Sequence, residues 1–158
     1  VLVIFGLHWM VVPLIANEIA QTGQSQLNAL VNFTMIAQGA GALAVFAKTK
    51  IANLKGLAGA GALSAFAGIT EPAMYGINLK YGRVFWMANI GGAVGGLIAG
   101  LFNLHMYGFT GSLIGFPSFA STKDNPNNLL IFFLASAATI VVSFVMVYLW
   151  GFKDRDVE

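Results

Sequence analysis

A single carboxylate, that of Glu71, lies where a long apolar region is interrupted by a proline and two glycines. The segment reads Gly68-Ile69-Thr70-Glu71-Pro72-Ala73-Met74-Tyr75-Gly76. Proline and glycine interrupt helices, and an interrupted backbone at membrane depth is tolerated only inside protein or beside a water-filled cavity. A charge at that depth is costly and by default marks a functional site. The segment therefore predicts a polar site at a break in a membrane-embedded chain.

The composition places the chain among membrane proteins, since 58% of its residues are hydrophobic and only 9% are charged. A net charge of +2 gives no reason to expect a nucleic-acid partner. The chain has no cysteine, which excludes disulfides, thiolate metal sites and a cysteine nucleophile within it. No metal-ligand cluster, phosphate-binding loop or nucleophile triad is recognisable, so we expect no metal and no cofactor.

Five apolar segments can be drawn, and we expect an all-α membrane protein. They cover residues 1–16, 27–47, 54–68, 84–104 and 129–151. The first segment ends near Pro13, and the polar residues from Asn17 to Gln26 are interpreted as a solvent loop. The first part of residues 105–128 is expected to dip into the membrane, and its second part to be aqueous.

The segment that leads into Glu71 is too short to cross a bilayer. Fifteen helical residues span about 22 Å, against about 30 Å for the hydrocarbon core. Residues 73–79 then lead back to Lys80 and Arg83. This pattern predicts a re-entrant hairpin rather than a full span.

The positions of the basic residues agree with one topology. If Lys48, Lys50 and Lys55 are cytoplasmic, the hairpin returns Lys80 and Arg83 to the same side. The helix 84–104 then crosses outward, and the helix 129–151 returns to place Lys153 and Arg155 inside. Only Lys123, beside Asp124, is left outside.

Two motifs resemble those of a known membrane-protein family. Gly68-Ile69-Thr70-Glu71-Pro72 resembles the signature of enzyme IIC, the membrane subunit of the bacterial sugar phosphotransferase system, in its glucose superfamily. Upstream, Val3-Ile4-Phe5-Gly6-Leu7-His8-Trp9 is similar to a motif of the β-glucoside-type members. The two motifs occur in the family's order, and the resemblance extends through nearly the whole chain.

The resemblance implies that Glu71 and His8 lie together at the sugar, with catalytic as well as binding roles. A carboxylate accepts several hydrogen bonds from hydroxyl groups, and a neutral imidazole offers one donor and one acceptor. The alternative for Glu71 is a structural role, in an ion pair with Lys80 or as a cap of the hairpin turn. The alternative for His8 is a satisfied histidine between helices.

Two neighbouring residues are further candidates for sugar binding. Thr70 offers a hydroxyl group, although a structural hydrogen bond at the hairpin tip explains it equally well. The indole ring of Trp9 could stack on a sugar face, but an aromatic packed in the core or at the membrane interface is at least as common.

The implied function is sugar translocation coupled to phosphorylation, with a β-glucoside as the expected substrate. Sucrose, trehalose, maltose or another sugar is the alternative within the family. In such systems the phosphoryl donor is a cysteine of a separate IIB domain, charged through IIA, so this chain would be only one part of the enzyme. Two alternatives lie outside the family: a secondary transporter, which moves its substrate unmodified, and a structural or receptor-like membrane subunit without transport.

The expected organisation follows from the same resemblance. Residues 1–152 are expected to be the C-terminal part of a IIC domain with re-entrant hairpins, and residues 153–158 a cytoplasmic tail or the start of a linker. The expected location is the bacterial inner membrane, with several passes through the lipid bilayer. The full-length protein is expected to be a homodimer.

Overall fold

The computed structural model describes residues 2–120 and 127–153, and the regular elements of this part are helical. Two short elements are 3-10 helices, Leu2–Phe5 and Leu113–Phe119. The α-helices are α1 (His8–Thr22), α2 (Gln26–Lys48), α3 (Ala52–Phe66), α4 (Glu71–Ala73), α5 (Gly82–Leu101) and α6 (Asn128–Met146). Single π-helical turns, Met74–Asn78 and Val147–Gly151, continue α4 and α6.

Three of these helices are long and apolar enough to cross a membrane: Gln26–Lys48, Gly82–Leu101 and Asn128–Gly151. They agree closely with the predicted segments 27–47, 84–104 and 129–151. The all-α membrane fold expected from the sequence is therefore confirmed.

Helices α2 and α5 pack against each other in opposite directions. A Cβ atom added to Gly41 would lie 2.9 Å from the Cβ atom of Ala88, and one added to Gly92 would lie 3.2 Å from that of Ala37. Later residues of α2 thus face earlier residues of α5. Backbones can approach this closely because the glycines carry no side chain.

Helices α5 and α6 meet at a still closer antiparallel contact. A Cβ atom on Gly91 would lie 2.6 Å from the backbone nitrogen of Ser143, and one on Gly95 would collide with the hydroxyl group of Thr139. The Ser143 hydroxyl donates a hydrogen bond of 3.0 Å to the carbonyl of Ala88. The glycine-rich run of α5 is thus a helix-packing surface.

A helical hairpin follows α2 and contains the predicted break. Helix α3 ends at Phe66, the chain turns at Gly68 with φ of +94°, and α4 begins at Glu71. The Ser64 hydroxyl donates to the carbonyl of Ile69 across the turn, at 2.9 Å. The returning arm, α4 with its π-helical turn, packs against α3.

The helix directions bring the described basic residues to one end of the bundle. This end, which we call the basic end, contains the end of α2, the start of α3, the start of α5 and the described residues after α6. Its basic residues are Lys48, Lys50, Lys55, Lys80, Arg83 and Lys153. Lys48 donates to the carbonyl of Tyr148 and lies 5.3 Å from the centre of its ring.

The opposite end of the bundle is held together by buried polar contacts. Ser25 and Met106 exchange two backbone hydrogen bonds, of 2.8 and 3.0 Å. The fully buried Asn128, at the start of α6, accepts from the backbone N–H of His105 and donates to the carbonyls of His105 and Phe119. These bonds hold the described residues before the start of α6, at His105 and Phe119, against Asn128.

The interpretation of Asn17 to Gln26 as a solvent loop is wrong for most of its length. Helix α1 continues through Pro13 and ends only at Thr22, where Gly23 adopts φ of +76°. Polar side chains satisfy one another along the exposed last turns, because Gln21 donates to Asn17 at 3.1 Å and Thr22 donates to the carbonyl of Glu18. The dip expected within 105–128 contains only one short 3-10 helix in its described part.

Some predictions lie outside the described residues. They concern the aqueous position of Lys123 and Asp124, the cytoplasmic position of Arg155, and the tail after Lys153.

Candidate functional site

A cavity of about 480 Å³ lies between α1, α2, the tip of the hairpin, α5 and the loop that follows α5. Its volume is within the range of about 300–1,000 Å³ that is typical of small-molecule sites. The apolar part of its wall includes the aromatic rings of Phe85 and Phe109. Its polar part consists of His8, Asn28, Thr34, Gln38, Thr70, Glu71, Asn89 and Thr110.

Glu71 lies at the start of α4 and lines this cavity, next to Thr70. Its side chain is exposed, and within the described residues it forms neither a hydrogen bond nor an ion pair with Lys80. Thr70 gives no side-chain cap to α4. The structural roles considered for Glu71 thus have no contact to support them here, and its oxygens remain available to a ligand.

His8 comes from a different part of the fold, the first residue of α1, and lines the same cavity. Its side chain is half-buried, and its Nδ1 atom is buried without a hydrogen-bond partner among the described residues. The structure therefore brings His8, Thr70 and Glu71 to one cavity, although 61 residues separate His8 from Thr70 in the sequence.

Trp9 is not among the residues that line the cavity. Its side chain is 69% exposed, and its ring lies 5.3 Å from that of His8. Stacking of Trp9 on a sugar stays a prediction, and the aromatic surfaces that the cavity itself provides are those of Phe85 and Phe109.

Sequence reasoning missed a set of amide side chains in the cavity wall. Gln38 of α2 and Asn89 of α5 both line the cavity, and the Gln38 Nε2 donates to the Asn89 Oδ1 at 3.2 Å. Asn28, near the start of α2, lines it as well and donates to the carbonyl of Gly108. The sequence does contain a signal for them: each is a polar amide within an apolar span. Unpaired polar groups are costly there, so such a residue is expected to have a partner.

The described residues contain no group of three or more His, Cys, Asp or Glu side chains that could hold a metal ion. The chemical resources of the cavity are therefore one carboxylate, one imidazole, hydroxyl groups and amides. Such a set can hydrogen-bond a polyol and orient one hydroxyl group of it.

Comparison with known proteins gives one family. The family model described as "Phosphotransferase system, EIIC" matches residues 1–92, which include both His8 and Glu71. No solved structure has significant similarity to the chain.

Curated relatives are similar over most of the chain. The β-glucoside-specific EIIBCA component of Dickeya chrysanthemi is 40% identical over 121 residues, covering 77% of this chain and 18% of that protein. The sucrose-specific EIIBC component of Bacillus subtilis (strain 168) is 34% identical over 156 residues, covering 98% and 33%. The arbutin-, cellobiose-, and salicin-specific EIIBC component of Escherichia coli (strain K12) is 34% identical over 166 residues, covering 99% and 33%. The chain thus spans between about a fifth and a third of the length of these relatives.

Proposed function

The chain belongs to the EIIC family of the phosphotransferase system, and from this we propose that it binds a sugar and carries it across the membrane for phosphorylation by a partner domain. The observation that supports this most directly is the shared cavity of His8, Thr70 and Glu71. These residues come from two separate elements, and no contact among the described residues occupies the Glu71 carboxylate.

In the proposed mechanism the cavity positions the sugar and the partner supplies the phosphoryl group. Glu71 accepts hydrogen bonds from sugar hydroxyls, and His8 orients the hydroxyl that reacts. That hydroxyl oxygen attacks the phosphorus of a phosphocysteine on IIB, the P–S bond breaks, and the hydroxyl proton passes to the imidazole or the carboxylate. This chain orients the acceptor and takes up its proton, whereas the phosphoryl donor belongs to the partner because this chain contains no cysteine.

The proposed location is the bacterial inner membrane, crossed several times. Three helices are apolar and long enough to span it, and the described basic residues lie at one end of the bundle. Positive residues mark the cytoplasmic side of membrane proteins. The phosphorylating IIB domain, and IIA behind it, would therefore approach from the basic end. By their names, the relatives described above combine the B and C components in one polypeptide, and the EIIBCA component also contains A.

The proposed substrate is a β-glucoside. Relatives specific for β-glucosides, or for arbutin, cellobiose and salicin, are 40% and 34% identical to the chain. The sucrose-specific relative is 34% identical, so sucrose is the competitor that an experiment must include.

We propose that residues 1–152 form the C-terminal part of a larger IIC domain, and that a tail or linker begins at residue 153. The small share of each relative that it covers supports this arrangement. We also propose that the full-length protein acts as a homodimer.

The test compares two Glu-to-Gln variants of the full-length protein in proteoliposomes supplied with the charged partner domains. Salicin and sucrose are offered, and phosphorylated sugar is measured inside. Glu71→Gln should reduce the yield at least tenfold, because an amide replaces one acceptor oxygen by a donor and leaves sugar hydroxyls mispaired. Glu18→Gln is the matched control, since Glu18 lies outside the cavity and accepts from the Ser25 hydroxyl at 2.5 Å.

Different outcomes of this test would contradict the proposed function, the proposed substrate or the role of Glu71. Absence of phosphorylated sugar with the unmodified protein would contradict the proposed function. Phosphorylated sucrose without phosphorylated salicin would replace the substrate. Equal yields from the two variants would remove Glu71 from the site.

A further inference from the structure

Three amide side chains form a continuous hydrogen-bonded chain from the hairpin to the cavity. Asn78, in the π-helical turn, donates from Nδ2 both to the backbone carbonyl of Gln38, at 3.0 Å, and to its Oε1, at 2.6 Å. The Nε2 of Gln38 in turn donates to the Oδ1 of Asn89, at 3.2 Å. Asn78 is fully buried and Gln38 is only 6% exposed, and Gln38 and Asn89 both line the cavity.

The orientation of every amide in this chain follows from its first bond. A backbone carbonyl can only accept, so the Asn78 atom that faces the Gln38 carbonyl must be the nitrogen. The Gln38 atom 2.6 Å from that same nitrogen must then be the oxygen. The other end of Gln38 is consequently its nitrogen, and the Asn89 atom that it meets is the oxygen.

The consequence for Asn89 is that its oxygen already accepts a hydrogen bond from Gln38, whereas its nitrogen keeps its donors for another partner. The Asn89 Nδ2 atom has no hydrogen-bond partner among the described residues, and the side chain lines the same cavity as Glu71. We propose that Asn89 is a sugar-binding residue that donates from Nδ2 to one sugar hydroxyl oxygen. Asn78 and Gln38 are positioning residues that hold the amide of Asn89 in this orientation.

This inference rests on the proposed function. It adds a hydrogen-bond donor, Asn89, to a site whose carboxylate, Glu71, is an acceptor. As a carboxylate, Glu71 can only accept hydrogen bonds, whereas Asn89 held in this way keeps a donor nitrogen for a ligand. A sugar hydroxyl has one donor and two acceptor sites, so it can satisfy either residue, and a polyol of the right shape satisfies both at once. The ligand is therefore a polyol with one hydroxyl group placed so that its oxygen accepts a hydrogen bond from Asn89.

The first experiment measures salicin binding to the full-length protein in detergent by calorimetry, together with the monodeoxy analogues that each lack one glucose hydroxyl. With the unmodified protein, one analogue should bind about 5- to 150-fold more weakly than salicin, because the donor of Asn89 is left unpaired. With Asn89→Ala, salicin and that analogue should bind equally, while the losses for the other analogues are unchanged. Asn53→Ala is the matched control, since Asn53 is exposed at the start of α3.

The second experiment reverses the amide of Asn89 without changing that residue. In Gln38→Glu, the second carboxylate oxygen replaces the Nε2 donor, so Asn89 must turn its nitrogen towards residue 38 and its oxygen towards the cavity. A sugar hydroxyl can also donate to that oxygen, so the informative ligand is the deoxyfluoro analogue at the same position, whose fluorine can accept but cannot donate. Its affinity relative to salicin should be lower in Gln38→Glu than in the unmodified protein. A merely structural defect would weaken salicin and all analogues by one common factor.

The results are decisive in either direction. An unchanged pattern of analogue affinities in Asn89→Ala would overturn the assignment of Asn89, whether or not Gln38→Glu folds. A normal pattern in a folded Gln38→Glu protein would overturn the positioning roles. Failure of the unmodified protein to bind either salicin or sucrose would instead contradict the proposed function, and this inference with it.

Discussion

Gly61 of α3 and Ala73 of α4 face each other with no room for a side chain between them. A Cβ atom on Gly61 would lie 3.1 Å from the Cα atom of Ala73 and 3.2 Å from its nitrogen. Both neighbours are backbone atoms, which cannot rotate away as a side chain can. The two arms of the hairpin are thus in backbone contact just below the turn that carries Glu71.

The first prediction follows from this contact. Gly61→Val in the full-length protein should lower its stability by about 1–3 kcal/mol, because added methyl groups force the arms apart. Gly56→Val in the same helix is the control, since a Cβ atom there meets nothing within 4 Å. Thermal unfolding in detergent measures both. Equal melting temperatures for the two variants would contradict the close packing of the hairpin.

The second prediction concerns Asn128, at the start of α6, whose side chain forms hydrogen bonds with three backbone groups of His105 and Phe119. Asn128→Asp should destabilise the protein by about 1–3 kcal/mol, because it removes the donor to the carbonyls of His105 and Phe119 and faces them with a charge. Asn127→Asp is a control with the same chemistry at an exposed neighbouring position. Thermal unfolding should show a lower midpoint for Asn128→Asp alone, and a shift shared by both variants would argue against these hydrogen bonds.

The third prediction tests the orientation of the bundle in the membrane. Single cysteines at Lys55 and Lys80, in a cysteine-free full-length background, should react with a membrane-impermeant thiol reagent from the cytoplasmic side only. Both residues lie at the basic end, on the two arms of the hairpin. A cysteine at the exposed Asn127, at the other end of the bundle, should react only from outside. Labelling of Lys55 and Lys80 from opposite sides would show that the intervening segment spans the bilayer.

The fourth prediction separates charging of the donor from transfer to the sugar. His8→Ala should lower phosphorylation of the sugar roughly 100-fold or more, the range expected for loss of a group that assists proton transfer. Phosphorylation of the IIB cysteine should be unchanged, because in the proposed mechanism His8 acts on the acceptor hydroxyl. Radiolabelled phosphate followed through the purified components should therefore stop on IIB. Label found on His8 of the unmodified protein would make this residue a covalent carrier and refute the mechanism.

The elements that the sequence predicted well are those set by hydropathy and by backbone breaks. An apolar run long enough to cross a bilayer has few folded alternatives, so the bounds of α2, α5 and α6 could be predicted from the sequence. The break at Gly68 could be predicted too, because glycine tolerates the positive φ that the hairpin turn requires. The shared cavity of His8 and Glu71 was expected from the family resemblance, since no local pattern links them.

The parts that could not be predicted depend on hydrogen bonds that form only in the folded chain. The end of α1 resembled a loop because polarity alone does not distinguish an exposed helical turn from a coil, and bonds such as Gln21 to Asn17 exist only once the helix has formed. Gln38 and Asn89 likewise read as isolated polar residues. Their hydrogen-bonded chain becomes evident only when the fold places Asn78, forty residues after Gln38, beside Gln38.

The glycines of α5 fix the register between α5 and α6 to a single value. Gly91 and Gly95 are preceded one turn earlier by Met87 and followed one turn later by Ala99. Sliding α5 by one turn, about 5.4 Å, would therefore drive Met87 into Ser143 or Ala99 into Thr139. The two helices cannot ratchet past each other and must be displaced together. The height of Asn89 in the bilayer is consequently coupled to that of α6, a helix from which no residue lines the cavity.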